Sequence, residues 1–320
     1  MLKPLKITKK TPIEEIRGLK TSTKIYIKRD DLTGLLISGN KARKLEYLIA
    51  DAKNKKCNTI LTCGGIKSNH CRTTAAFAQR FGFECHLFLR VRGKPQKIYT
   101  GNLLLEKLLG ATVHYITPKQ YESRDEVMEA YAERLKRKGK RPYIIPVGGS
   151  NEIGSLGYLD CMKEMKGFIK KEKIAAVYCA VGSGGTYAGL LLGKKLLNLK
   201  IDLNGILVCD TIEYFKKEIL GICEKAIDKF NMSIKIGEDD MNLIDGFIGK
   251  GYAIPYPAEL KTIRRMAKLG IILEPVYTGK TFHGMLKHLR KTRYKKVIFI
   301  HTGGIFSIFA FARELTEVID

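Results

Sequence analysis

The segment with the clearest chemical potential is a glycine-rich run between an apolar stretch and a helical pattern. It reads Val181-Gly182-Ser183-Gly184-Gly185-Thr186-Tyr187-Ala188-Gly189. Glycines at such a place let successive backbone N–H groups turn inward, and Ser183 and Thr186 add hydroxyl donors at a helix N-terminus. The pattern predicts a phosphate site, although a strand-to-helix turn without a ligand is the alternative. A nucleotide is less favoured, because the run lacks the P-loop lysine and the G-x-G-x-x-G spacing.

A second segment places a lysine at the start of a predicted helix. The residues Ser38-Gly39-Asn40-Lys41 follow a predicted strand and turn, and Arg43 and Lys44 come directly after them. Positive potential from these side chains and from the first helical turn would lower the pKa of Lys41 and favour the free amine that Schiff-base chemistry needs. An ordinary solvated lysine is the alternative.

A third segment again joins an apolar strand to a helix. It reads Cys63-Gly64-Gly65-Ile66-Lys67-Ser68-Asn69-His70. Ser68 and Asn69 fall at N-cap positions, where they either cap the helix or bind a substrate carboxylate and a cofactor ring substituent. For His70 three roles stay open: a base, a cofactor contact or a buried structural histidine.

Short β-rich runs alternate with helical patterns, which predicts an α/β fold with mainly parallel sheets flanked by helices. The predicted strands are residues 24–28, 59–63, 84–90, 111–116, 143–147, 175–180, 204–209 and 296–300, and predicted helices include 69–81, 124–138 and 186–197. Breaks near residues 45 and 148–150 predict two lobes. Residues 1–44 with 151–320 would form a large domain, and residues 45–150 a smaller inserted domain. Ligands in such folds bind beyond the carboxyl ends of strands, where the glycine-rich runs fall.

The charge balance raises an alternative function. Lys and Arg number 57 against 32 Asp and Glu, a net charge of +25, as in many nucleic-acid-binding proteins. The basic residues are scattered, however, and zinc-finger spacing, aromatic RNA-binding motifs and Trp are missing. We therefore expect a lysine-rich surface that can steer anionic ligands, and no nucleic-acid partner.

Cysteine spacing and hydropathy narrow the class further. The eight cysteines include no C-x-x-C pair and no ligand-like grouping with histidine, which predicts reduced thiols and no metal site. The sequence also lacks the apolar run of roughly 20 residues that a membrane-spanning helix needs, and its first residues lack a signal-peptide core. We expect a cytoplasmic protein without membrane association.

Five short motifs occur along the chain in a fixed order. They are Ser38-Gly39-Asn40-Lys41-x-Arg43-Lys44-Leu45-Glu46, Gly64-Gly65-x-x-Ser68-Asn69-His70, Gly182-Ser183-Gly184-Gly185-Thr186-x-Ala188-Gly189-Leu190, Glu274-Pro275-Val276-Tyr277-Thr278-Gly279-Lys280 and His301-Thr302-Gly303-Gly304. Together they resemble the D-cysteine desulfhydrase and 1-aminocyclopropane-1-carboxylate deaminase family, within the fold type II (tryptophan-synthase β-like) pyridoxal-phosphate enzymes. The resemblance implies pyridoxal 5′-phosphate between the two lobes, and a homodimer.

The resemblance also implies individual roles. Lys41 would hold the cofactor as a Schiff base and then move protons at the substrate carbons, while Thr302 would bond the pyridine nitrogen. The implied cofactor contacts are Lys41, Asn69, Gly182, Ser183, Gly184, Gly185, Thr186 and Thr302. The implied substrate contacts are Ser68, Asn69, His70, Gly149, Tyr252 and Tyr277, and the implied catalytic residues are Lys41, Ser68 and Tyr277.

Two positions bear on the reaction. Family members that open the cyclopropane ring resemble one another in carrying Glu and Leu where this chain has Thr278 and Thr302. A hydroxyl beside the pyridine nitrogen gives a weaker electron sink than a carboxylate, which suffices when a good leaving group departs from the β-carbon. We expect α,β-elimination, first of all from D-cysteine to pyruvate, ammonia and hydrogen sulfide.

Several alternatives stay open. An L-cysteate sulfo-lyase, a 1-aminocyclopropane-1-carboxylate deaminase and a pyridoxal-phosphate-binding regulatory protein all fit the same motifs. Lys67 departs from the uncharged residue usual before Ser68, and it is either solvated or selects an anionic substrate. Cys71 likewise replaces a residue that is commonly Ala or Thr.

Overall fold

Strands and helices alternate along residues 2–93 and 98–319, the part of the chain that the computed structural model describes. The strands are β1 (Ile13–Glu15), β2 (Lys24–Lys28), β3 (Thr59–Gly65), β4 (Glu84–Arg90), β5 (Thr112–Ile116), β6 (Pro142–Ile144), β7 (Ala176–Val181), β8 (Asp202–Leu207), β9 (Asn242–Ile244) and β10 (Lys296–Ile300). The helices are α1 (Asn40–Asn54), α2 (Asn69–Phe81), α3 (Gly101–Leu108), α4 (Pro118–Glu122), α5 (Arg124–Lys136), α6 (Leu156–Glu172), α7 (Gly185–Leu196), α8 (Ile212–Lys229), α9 (Pro257–Ala267), α10 (Thr278–Leu289), α11 (Ile305–Ile308) and α12 (Ala312–Thr316).

The strands form two sheets. The first has the spatial order β1-β2-β10-β7-β8-β9 and the second β5-β4-β3-β6. Neighbouring strands are parallel except for β1, which pairs antiparallel with β2. The first sheet draws on both ends of the chain, whereas the second comes from one continuous stretch between β3 and β6.

Strand β7 shows why these sheets are buried on both faces. Val177 and Cys179 point into one hydrophobic cluster, and the alternate residues Ala176 and Tyr178 point into another. All four side chains are fully buried. Because successive residues of a strand face opposite sides, an apolar run of this kind fits only a sheet with helices on both faces.

The predicted fold class, α/β with two mainly parallel sheets flanked by helices, is confirmed. The limits of one predicted strand, 143–147, are wrong, because β6 ends at Ile144. A 3-10 turn at Val147–Gly149 follows, in which Gly148 and Gly149 have φ of 67° and 61°. The short strands β1 and β9 were not predicted, since three residues carry too little periodicity to be recognised.

The predicted domain limits remain a prediction. The first of them, between residues 44 and 45, falls inside α1, which packs against α6 as well as α2. Within the described residues, the structure has no helix with the length and apolar character needed to cross a membrane.

Gly157 in α6 lies where this helix crosses the first turn of α1. A Cβ there would lie 2.4 Å from the Arg43 carbonyl oxygen and 2.9 Å from the Lys44 nitrogen. Gly157→Ala should therefore lower the urea midpoint, with the loss of about 1–3 kcal/mol typical of overpacking. Gly167→Ala in the same helix is the control, because a Cβ there has no atom within 4 Å and alanine favours the helix by about 1 kcal/mol. Equal midpoints for the two variants would contradict this account of the helix crossing.

Candidate active site

A cavity of about 690 Å³ opens at the carboxyl ends of strands from both sheets. Its wall takes residues from the start of α1, from the loops after β3, β7, β8 and β10, and from the Tyr252 and Tyr277 segments. Those among the predicted site residues that line it are Lys41, Ser68, Asn69, His70, Gly182, Ser183, Gly184, Thr186, Tyr252, Tyr277 and Thr302. Residues far apart in sequence thus meet in one place, as expected at the strand ends of parallel sheets.

Lys41 lies half-buried in the lining of this cavity and has few polar neighbours. Its Nζ donates a hydrogen bond to Asn40 Oδ1 at 3.1 Å and lies 5.8 Å from the centre of the Tyr277 ring. Burial lowers the pKa of Lys41 to about 8; the negative charge of Glu274 opposes this shift and the positive charge of Arg72 adds to it. About a tenth of the amine is therefore uncharged at pH 7, far more than in an exposed lysine.

The sequence-based explanation of this pKa, positive potential from Arg43 and Lys44, is wrong in its main cause. Arg43 Nε donates to Asp30 at 2.9 Å and its Nη1 donates to Glu164 at 2.8 Å, so its charge is already neutralised. Removal of Lys41 from water is the dominant effect, and that depends on tertiary packing rather than on sequence neighbours.

Lys44 is a second buried amine that the sequence reasoning did not assign to the site. Its Nζ donates to the Gly148 carbonyl at 3.2 Å and to Ser150 Oγ at 3.0 Å, and Ser150 Oγ lies 2.9 Å from Ser183 Oγ in the glycine-rich loop. Burial, followed by the charge of Lys41, lowers the pKa of Lys44 well below its ordinary value. The sequence does contain a signal for the role of Lys44. It follows Lys41 by three residues, and residues three apart lie on the same face of a helix.

The glycine-rich loop is closely packed between the cavity and its neighbours. A Cβ at Gly182 would lie 2.9 Å from the ring of Tyr277, and one at Gly185 would lie 2.8 Å from Ser150 Cα. Beyond the loop, Thr186 Oγ1 accepts a hydrogen bond from Asn40 Nδ2 at 3.0 Å. Helix α7 begins here, and its first backbone N–H groups have no partners within the helix.

The Ser68-Asn69-His70 run begins α2. Ser68 Oγ accepts the Cys71 N–H at 3.2 Å, so its capping role is confirmed. Asn69 Oδ1 accepts a hydrogen bond from Asn102 Nδ2 at 2.9 Å, which leaves the Asn69 amide as a donor. Burial, together with Lys41 and Lys44, lowers the pKa of His70 well below its ordinary value, so its imidazole is neutral.

The two tyrosines of the cavity meet each other. Tyr252 and Tyr277 have their hydroxyl oxygens 2.5 Å apart. Burial raises the pKa of Tyr252 to about 12 and raises that of Tyr277 well above its ordinary value. Both phenols therefore hold their protons at neutral pH. Glu274 positions this segment, because its buried carboxylate accepts the N–H groups of residues 276–278.

Two predicted site residues do not line the cavity, and neither do Lys67 and Cys71, the two positions that depart from the family pattern. Gly149 and Gly185 are outside the cavity lining, and Gly149 packs against Leu48 and His70 beneath it. Lys67 also points away from the cavity. Its Nζ donates to the Ala310 carbonyl at 2.9 Å and lies 3.6 Å from the centre of the Phe311 ring, so it holds the C-terminal segment. Cys71 is fully buried.

A family model described as a pyridoxal-phosphate-dependent enzyme matches residues 5–303. The chain belongs to this family. A Thermotoga maritima protein provisionally named a 1-aminocyclopropane-1-carboxylate deaminase is 42% identical over 96% of this chain and 97% of its own. The bifunctional D-cysteine desulfhydrase/1-aminocyclopropane-1-carboxylate deaminase of Arabidopsis thaliana is 38% identical over 93% of this chain and 77% of its own. The predicted family resemblance is thus confirmed.

A solved structure supports the same grouping. The crystal structure of a 1-aminocyclopropane-1-carboxylate deaminase homologue has a TM-score of 0.90 with this chain, is 36% identical, and covers 97% of this chain and 94% of its own. The fold is therefore that of the fold type II pyridoxal-phosphate enzymes, and the predicted cofactor, pyridoxal 5′-phosphate, is the one this family uses.

The side chains of the cavity fit this cofactor. A phosphate group requires hydrogen-bond donors, and the amine of Lys44 and the hydroxyls of Ser150 and Ser183 lie together at the glycine-rich loop. A phenolic oxygen requires a donor, and Asn69 has its amide nitrogen left for that purpose. An aldehyde requires an uncharged amine, and Lys41 supplies one. When bound, the cofactor withdraws electrons from the α-carbon of an attached amino acid.

The reactivity of Lys41 should follow its lowered pKa. With a pKa of about 8, its free-amine fraction rises from about a tenth at pH 7 to about nine tenths at pH 9. Incorporation of pyridoxal phosphate by cofactor-free protein, trapped by borohydride and located by mass spectrometry, should rise through pH 8 and then level off. Nα-acetyl-lysine is the control, and its reaction should keep rising with pH. A protein rate that follows the control would contradict the lowered pKa.

Proposed function

We propose that this protein is a pyridoxal-phosphate-dependent lyase that eliminates the β-substituent of a small amino acid. D-Cysteine is the first candidate substrate, with pyruvate, ammonia and hydrogen sulfide as products. The observation that carries the proposal is the amine of Lys41, with its pKa lowered to about 8, in the same cavity as the protonated hydroxyl pair of Tyr252 and Tyr277. A base and a proton donor in one cavity are what an elimination needs.

We assign cofactor binding to the residues that the sequence predicted, with one addition. Gly182, Ser183, Gly184, Gly185 and Thr186 would hold the phosphate, Asn69 the phenolic oxygen and Thr302 the pyridine nitrogen. Lys44 joins this set, because its amine and Ser183 both contact Ser150. Lys41 carries the reactive amine.

We assign proton transfer to two side chains, Lys41 and Tyr277. Lys41 Nζ, once free, takes the proton from the substrate α-carbon. Tyr277 keeps its own proton because burial raises its pKa, so its hydroxyl can donate to the departing group. Tyr252 orients that hydroxyl through the contact of 2.5 Å. Ser68 and the N-terminus of α2 bind the substrate carboxylate, since helix N-termini attract anions.

Thr278 and Thr302 support elimination over ring opening. Thr302 presents a neutral side chain to the cavity, and Thr278 is fully buried with its hydroxyl accepting the Glu274 N–H at 2.8 Å. The Glu274 carboxylate, which is occupied by backbone N–H groups, does not line the cavity. The Arabidopsis relative carries D-cysteine desulfhydrase and cyclopropane deaminase activities in its name, so the cyclopropane amino acid stays as an alternative substrate. L-Cysteate stays as another, because it also carries a leaving group on its β-carbon.

The decisive experiment measures both the cofactor absorbance of the purified protein and the products that it forms. Purified protein should be yellow, and Lys41→Ala should lose the cofactor absorbance and nearly all turnover, because no other amine replaces it. Pyruvate formation should be measured from D-cysteine, L-cysteine, L-cysteate, D-serine and the cyclopropane amino acid. Lys67→Ala is the control, since Lys67 lies outside the cavity.

Three outcomes would contradict parts of this proposal. A colourless protein that refuses added cofactor would refute the cofactor assignment. Production of 2-oxobutanoate from the cyclopropane substrate alone would refute elimination. A yellow protein without turnover of any substrate would favour the regulatory alternative.

We also propose a homodimer that acts in the cytoplasm. The structure shows an exposed apolar surface on the segments around Arg72, which we call the Arg72 surface. It comprises Leu32, Leu35, Leu104, Leu108, Ile305 and Phe309. These segments meet because Arg72 donates to the Leu36 carbonyl and to Asn102, and stacks 5.1 Å from the Phe306 ring. Free cysteines at all eight positions suit a reducing compartment.

A charge on the Arg72 surface should disrupt the dimer. Leu35, 83% exposed, and Leu108, 74% exposed, would be buried by a second copy of the chain. The double variant L35E/L108E should sediment as a monomer at micromolar concentration while the parent protein sediments as a dimer. Leu196→Glu is the matched control, because Leu196 is an exposed leucine at the far end of α7. A dimer that survives the double change would place the interface elsewhere.

A further inference from the structure

Two arginines share one wall of the cavity and lie over the same ring, that of Tyr121. The guanidinium carbon of Arg90 lies 4.6 Å from the centre of the Tyr121 ring, and that of Arg124 lies 5.2 Å from it. Arg90 also lies 5.9 Å from the ring of Tyr252. Contact with a ring face holds a guanidinium group in place, while its N–H groups stay available to donate to a ligand.

The fold directs both arginines towards the reacting groups. Arg90 is the last residue of β4, where its register partner is Gly65, so it emerges beside the loop that presents Ser68. Arg124 is the first residue of α5. Arg90 contacts Tyr252, whose hydroxyl contacts Tyr277. The arginine wall thus lies next to both the carboxylate site and the proton donor.

The arginines of this wall form no ion pair in the described part of the chain. Within residues 2–93 and 98–319, no carboxylate lies within 4.0 Å of either guanidinium group, and the guanidinium of Arg90 makes no hydrogen bond. Arg124 Nη1 donates to the Tyr121 carbonyl at 3.2 Å, but its buried Nε has no acceptor. By contrast, Arg43 contacts two carboxylates. Two partly buried like charges in contact with one ring favour an anion between them.

Acidic residues also line the cavity, but in a different place. Glu122, Asp125, Asp210 and Glu218 are all exposed, whereas Arg90 and Arg124 are half-buried. Carboxylates in water are well screened and stay at the rim. The inner surface that a substrate meets is therefore formed by the arginines and tyrosines.

We infer that Arg90 and Arg124 bind a negatively charged β-substituent, so that the enzyme prefers amino acids with an anionic group on the β-carbon. The inference rests on the proposed elimination and specifies its substrate class. Within the proposed elimination, this inference ranks substrates with an anionic β-substituent ahead of D-cysteine, whose thiol is mostly uncharged at pH 7. In the step concerned, Lys41 accepts the α-proton and the bond from Cβ to the substituent breaks with its electron pair on the leaving anion. Water then converts aminoacrylate to pyruvate and ammonia.

The test compares two substrates that differ in the charge of the leaving group. The holoenzyme should give a higher kcat/KM with serine O-sulfate, whose β-substituent is an anionic sulfate, than with O-acetylserine, whose β-substituent is a neutral acetate ester. Both enantiomers of each substrate are assayed. Arg90→Gln and Arg124→Gln should each lower kcat/KM for serine O-sulfate about tenfold or more, as for loss of a charge-assisted hydrogen bond. The kcat/KM for O-acetylserine should change less than about twofold, because its neutral β-substituent makes no charge-assisted hydrogen bond to either arginine. Inorganic sulfate should inhibit the parent enzyme competitively and the variants more weakly.

Arg134→Gln is the matched control. Arg134 lies in the same helix α5 and stacks on Tyr131 at 5.1 Å, but it does not line the cavity. This variant should treat both substrates as the parent does. Cofactor absorbance reports whether each variant is folded and loaded.

Each other outcome has a definite meaning. Equal losses for both substrates would assign the arginines to the α-carboxylate and overturn the inference, as would no loss for either. Absence of pyruvate from every substrate would refute the proposed elimination instead. In that case, binding is read from the change in cofactor absorbance. Equal affinity of the parent and Arg90→Gln for serine O-sulfate would then overturn the inference separately.

Discussion

The position of Lys41 depends on a buried ion cluster two residues further along α1. Arg43 contacts Asp30 at 2.9 Å and Glu164 at 2.8 Å, and Lys28 contacts Glu164 at 2.8 Å. Burial alone would raise the pKa of Asp30, but Arg43 and Lys28 outweigh it and keep that pKa below its ordinary value. Removing one member of such a cluster leaves a buried charge uncompensated, at a cost of about 3–5 kcal/mol. The cluster therefore ties the first turn of α1 to the segment after β2 and to α6.

The same helix turn holds two kinds of cation in two environments. Arg43 faces acids and stays charged, whereas Lys41 and Lys44 have no carboxylate within 4.0 Å in the described part of the chain. Their pKa values fall because burial disfavours the charged form. Such a site is costly without a ligand, and a phosphate bound beside Lys44, as proposed, would supply the missing negative charge. One helix orientation would then serve both the binding of the cofactor and the reactivity of Lys41.

Short motifs and apolar runs are enough to predict the site residues and the strand ends. Burial and contacts between distant residues depend on tertiary packing and cannot be predicted from them. Lys41 was identified because the motifs around it occur in a fixed order, and the strand ends were found from apolar runs. The reason for its reactivity was wrong, because adjacent charges are visible in a sequence and burial is not. Lys67 illustrates the same limit, since its partner Ala310 lies 243 residues away. Arg90 ends a correctly predicted strand, so position at a strand end was the signal that could have indicated it.

The cavity presents three separate regions that attract negative charge. One is the glycine-rich loop with Lys44 behind it, which is the proposed phosphate site, the second is the N-terminus of α2, and the third is the arginine wall. An amino acid held by its carboxylate at the second region, by its β-substituent at the third and by its nitrogen on the cofactor would have one bond left, the bond to the α-proton. In one enantiomer that bond would point towards Lys41, and in the other it would point away. On the proposed contacts, the choice of enantiomer would therefore depend on the relative placement of α2 and Arg90, two elements joined through the register of β3 and β4.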